Sequence, residues 1–145
     1  MRYLKVFLFA AVLTLAAAYR SAEAADFDGS KPLLCSVINV SECTANDGCK
    51  KTTVENVRLP QFLKVDLAKK IVTPATPIEG RKPTQIERTE RVEGKLILQG
   101  AEEGIENVHD GLGWTAAISE ETGNFILTAS GEDVAFVVFG ACIAQ

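Results

Sequence analysis

One histidine, one tryptophan, one methionine and two tyrosines are all this chain of 145 residues contains of those types. There is no G-x-S-x-G elbow, no H-E-x-x-H pair, no glycine-rich phosphate loop and no C-x-x-C-H haem attachment, so none of the common hydrolase, metalloprotease, nucleotide or haem signatures applies and no cofactor is implied. Basic charge is scarce as well: fifteen Lys and Arg stand against nineteen Asp and Glu. The basic pairs Lys50-Lys51, Lys69-Lys70 and Arg81-Lys82 are interspersed with acids, which excludes the concentrated positive surface that nucleic acid requires. Beyond the first residues no apolar run is long enough to cross a bilayer as a helix.

What the chain does have begins with an address. Met1 to Lys5 carry two positive charges and lead into VFLFAAVLTLAAA, an apolar block of 13 residues, which suits a signal-peptide core and is short for a span. Ala22 and Ala24 frame Glu23 as a small-x-small cleavage site, which predicts a leader over residues 1–24 and one mature domain over 25–145. A lipid-anchoring cysteine would follow the apolar block directly, whereas Cys35 lies well beyond it. Without the leader, twelve basic residues face eighteen acidic ones, a net charge of about −6. The expected location is the periplasm or the secreted medium, as a single domain with one core.

The remainder alternates with period two. LLCSVINVSEC and CKKTTVENV flank Asn46-Asp47-Gly48, whose residues tolerate the left-handed backbone of a tight turn. FLKVDL and KIVT read as a second hairpin. TPATPIEGRKPT, with three prolines and a glycine, reads as an exposed loop. TQIERTERV turns at Glu93-Gly94 into KLILQG, and AEEGIENVHDGLG is an acidic, glycine-rich loop. WTAAIS, NFILTAS and VAFVVFGACIA follow, separated by EETG and GED. The last strand is apolar on both parities, with Phe136 and Val138 on one and Phe139 and Ile143 on the other, so both of its faces are expected to be covered or to meet a partner.

About eight short strands without an amphipathic helix predict an all-β domain, either a small antiparallel meander barrel or a sandwich. In general architecture such a succession of hairpins resembles a small lipocalin-like barrel, a likeness of shape that does not fix function.

Four cysteines in an exported chain predict disulfides. If Asn46-Asp47-Gly48 closes a hairpin, Cys43 faces Cys49, leaving Cys35 to pair with Cys142 and tie the first strand to the last. A Cys35–Cys43 bridge would span roughly 26 Å of extended strand and is excluded. The spacings of seven and five intervening residues suit neither a zinc site nor a thiol oxidoreductase.

Chemistry-bearing candidates are few. His109, beside Asp110, is the one histidine that could serve a small hydrolase-type enzyme as general base, although neighbours in an extended loop usually point apart. Glu102, Glu103, Glu106 and Asp110 could gather around calcium, but their spacing departs from the D-x-[DN]-x-[DN]-G loop. Trp114 either lines a cavity mouth or plugs one end of the core. Asn39-Val40-Ser41 matches a glycosylation sequon but falls inside a strand. The leading expectation is a non-enzymatic binding domain for a small apolar ligand, with Trp114, Phe136, Phe139 and His109 as ligand-facing candidates, or for a protein partner. A loop-based enzyme and a structural assembly subunit are the alternatives.

Overall fold

The computed structural model of the chain describes residues 27–79, 81–104 and 111–145. The segment 1–24 expected to be a leader, His109 and Asp110 lie outside the described residues. Ten strands follow one another: β1 (Leu33–Thr44), β2 (Gly48–Thr52), β3 (Phe62–Asp66), β4 (Ile71–Pro74), β5 (Thr84–Gln85), β6 (Arg88–Val92), β7 (Lys95–Glu102), β8 (Leu112–Ser119), β9 (Asn124–Ser130) and β10 (Val134–Ala144). No helix occurs among the described residues.

All ten belong to one antiparallel sheet curled into a half-barrel, in the order β5-β4-β3-β1-β10-β9-β8-β7-β6, with β2 also on β1. One curled sheet, not two facing ones, removes the sandwich alternative. Two features reduce ten strands to eight positions. β2 pairs with Val40–Thr44 and β3 with Leu33–Ser36 on the same flank of β1, so they are two halves of one interrupted strand. The strand expected through CKKTTVENV therefore stops at Thr52. β5 and β6 are likewise consecutive pieces of one segment that reaches both edges of the sheet. Thr84 and Gln85 pair with β4, the Ile86 N–H donates to the Lys70 carbonyl, and the Glu87 N–H donates to the Gln99 carbonyl of β7.

The connections explain themselves locally. Gly48, Gly94 and Gly123 hold positive φ in the tight turns, as do Lys70 and Glu93 in theirs. A bulge at Ile38 shifts the β1–β10 register between Val37 and Asn39. That extra residue lets both Val37 and Val40 face inward. The backbone there is pinned by Gln61, whose carbonyl accepts from the Val37 N–H at 2.9 Å and whose side-chain amide donates to the Val37 carbonyl.

Both disulfides join directly opposed residues. Cys35 and Cys142 pair across β1 and β10 inside the core, and Cys43 and Cys49 pair at the base of the β1–β2 hairpin. The first bridge fixes the contact between first and last strands. Leu33, Leu96, Ile118 and Phe125 fill the half of the interior around it.

That half is also sealed from below. Phe27 packs against the turn at Gly123, Gly29 lies over Leu67, and Arg91 donates to the Asp28 carbonyl at 2.6 Å. Gly140 is small for a reason: a Cβ there would stand 2.2 Å from the Phe125 ring and 2.3 Å from the Ser36 carbonyl. On the outside, Phe139 and Ile143 of β10 are 44% and 61% exposed. The outer face of the last strand is therefore uncovered by the other described residues.

Candidate functional site

The opposite end gathers the segments 53–61, 75–79 and 81–83, and beneath them the interior is not filled. A cavity of about 120 Å³ is walled by Val40 and Leu63 on one side and by Trp114, Leu127, Phe136 and Val138 on the other. Strand register accounts for the space. Gly100, Trp114, Ala129 and Phe136 stand opposite one another on β7 to β10. Large and small residues thus alternate across this row, and Ala129 leaves room between the two aromatic rings.

Gly100 is required by the same packing. A Cβ on it would lie 2.3 Å from the Gln85 carbonyl and 2.6 Å from Cζ2 of Trp114. The indole is thereby held in place against β7. Only 8% of Trp114 is exposed, and its Nε1 has no hydrogen-bond partner among the described residues. An unpaired buried donor is costly, about 1–3 kcal/mol, and it sits on a side chain that borders empty space.

The rim is polar. Arg58, Arg81, Thr84 and Glu102 line it, below Val57, Leu59 and Pro60 of the β2–β3 connection. Thr84 Oγ1 donates to Glu102 Oε1 at 2.7 Å, and Arg81 Nη2 lies 3.7 Å from the same oxygen. Arg81 Nη1 also donates to the Arg58 carbonyl at 2.8 Å, which ties the residues just before β5 to loop 53–61. Among the described residues no carboxylate pairs with the Arg58 guanidinium.

The sequence candidates separate in this geometry. Trp114 and Phe136 meet at the cavity, Phe139 lies on the outer face opposite Ile126, and His109 is outside the described residues. Glu102 is engaged at the rim, whereas Glu106 and Asp110 are outside the described residues. Among the described residues no group of three or more His, Cys, Asp or Glu is placed to hold a metal ion. Reading the sequence missed Arg58 and Arg81, which lie in loops and reach the site only through tertiary packing.

A wider hollow of about 300 Å³ runs over Glu87, Gln99, Thr115 and Thr128. These four residues have outward parity, and with Gly100 and the edge of Trp114 they border a mainly polar hollow. The apolar cavity is the site with the character of a ligand pocket.

The chain matches no family model, no curated protein and no solved structure.

Proposed function

We propose that this is an exported, non-enzymatic binding domain that takes a small apolar ligand, or the apolar end of a larger one, into the loop-bearing end of its half-barrel. The observation that carries the reading is the apolar cavity beneath the loops, bordered by Trp114 with its unpaired indole N–H. A cavity of about 150 Å³ in another protein is known to stay dry and admit benzene, so about 120 Å³ suits a single ring or a short branched chain. Export is supported by the leader pattern of residues 1–24 and by two disulfides, which persist in oxidising compartments.

Trp114 is the only tryptophan, so its fluorescence reports the cavity wall directly. Titration with small aromatic and branched aliphatic compounds is expected to give a saturable change in emission. Native mass spectrometry of protein purified from its own compartment should show retained cargo. A bare protein whose emission is unmoved by every probe up to millimolar concentration refutes the reading.

A protein partner is the second reading, supported by the uncovered outer stripe of Ile38, Ile126, Phe139 and Ile143. Under that reading F139S weakens association with the partner and leaves the fluorescence titration unchanged.

A further inference from the structure

Arg58 holds a left-handed backbone, φ 54°. Lys70 does so at the end of the four-residue β3–β4 connection and Glu93 in a two-residue hairpin turn, but Arg58 has a different setting. Residues 53–59 make one helical turn. The Asn56 N–H donates to Thr53 Oγ1 and the Val57 N–H to the Thr53 carbonyl. The turn ends with the Arg58 N–H on the Glu55 carbonyl and the Leu59 N–H on the Val54 carbonyl.

That pair of bonds is a Schellman motif, with Val54 and Leu59 both packed against the core and Arg58 in the position glycine usually fills. Glycine adopts the left-handed conformation without strain and arginine does not. The backbone geometry therefore asks for glycine, and the arginine side chain must be explained by something else. Its main chain is held from both sides, by Glu55 and by Arg81. Arg58 is among the residues lining the cavity, its side chain is exposed, and no carboxylate pairs with it among the described residues.

Resting on the binding reading above, we propose that the ligand is an amphipathic anion, with an apolar body in the cavity and a carboxylate at the rim on the Arg58 guanidinium. A planar fork of donors fits a carboxylate bidentately, and Glu102, the acid among the cavity-lining residues, is already engaged by Thr84 and Arg81. The Trp114 N–H remains for an acceptor on the ligand body or a water that enters with it.

The test uses 4-phenylbutyrate, its neutral amide and 4-phenylbutylamine, titrated by Trp114 emission and calorimetry against wild type, R58G and R58K. The acid is expected to bind at least about tenfold more tightly than the amide, which is the scale of one charge-assisted bond. R58G should abolish that preference while keeping amide affinity and thermal stability, since glycine relieves the strained backbone. R58K should restore part of the preference.

Equal affinity for acid and amide in wild type overturns the anion proposal and leaves the cavity reading standing. So does tighter binding of the amine, or an acid preference that survives R58G. If none of the three binds by either method up to millimolar concentration, the cavity reading falls and the anion proposal with it.

Discussion

Removing the two disulfides one at a time should cost very different amounts. Cys35 and Cys142 are 107 residues apart in sequence, and Cys43 and Cys49 are 6 apart. In the chain-entropy description a cross-link stabilises by restricting the unfolded chain, with a gain that grows as the logarithm of the loop. For these loops it gives about 4.8 and about 2.2 kcal/mol at 25 °C. At about 4 °C per kcal/mol for a domain of this size, C35A/C142A should lower Tm by about 19 °C and C43A/C49A by about 9 °C.

Native-state packing moves the two further apart. Cys35 and Cys142 lie in the core, so their truncation also empties volume between β1 and β10. The hairpin bridge borders no such volume, because Cys43 and Cys49 project beyond the packed interior. The assay is guanidinium unfolding of both double variants, with a non-reducing peptide map to show that the remaining bridge is intact. Equal losses, or a larger loss for the hairpin pair, would refute the loop-length reasoning.

Two other perturbations follow from single contacts. G100A pushes a methyl group into the Gln85 carbonyl and the Trp114 ring and should cost about 1–3 kcal/mol; the blue-shifted emission expected of a buried Trp114 should move to the red, and an unchanged Tm would contradict the packing described for this row. Asp66, 7% exposed, accepts the Lys69 N–H at 3.0 Å, with the Lys69 ammonium 3.1 Å away, and these hold its carboxyl below the ordinary 3.8. Because the folded value is depressed, its stabilising contribution is complete above the ordinary value and is lost as pH falls through the folded one. Urea midpoints between pH 6 and pH 2.5 should therefore drop more steeply for wild type than for D66N, and parallel curves would remove Asp66 as the cause.

Much of the fold was legible because period-two alternation and turn chemistry are local signals. Asn46-Asp47-Gly48 and Glu93-Gly94 fall where the structure turns, and opposition at the first of these was enough to assign both disulfides. TTVENV, the second half of the strand expected through CKKTTVENV, misled for an instructive reason. Its threonines and valines have β propensity, yet the Thr53 hydroxyl caps a helical turn through Asn56 and the chain leaves the sheet. Recognising that cap would have placed Arg58 at the helix-ending position where glycine is expected, the one sequence signal for it. Arg81 offered none, because its partners, the Arg58 carbonyl and Glu102, are distant in sequence. Phe139 was grouped with Phe136 as an aromatic on one strand, but odd spacing puts them on opposite faces, and only the second reaches the cavity.

The two ends of the half-barrel are filled differently. Around Cys35–Cys142 the interior is occupied by Leu33, Leu96, Ile118 and Phe125, and the segment from Phe27 to Pro32 closes it from below. Toward the loops the inward rows alternate Trp114 and Phe136 with Gly100 and Ala129, so volume that could have held further core side chains is left open. Leaving it open forgoes about 0.8 kcal/mol for each methylene that could have been buried there. A domain held by a cross-link between its terminal strands tolerates that loss, because the covalent tie does not depend on packing at the far end. Cavity-filling at Ala129 is thus expected to raise stability while closing the site, an opposition that a purely structural barrel would have no reason to maintain.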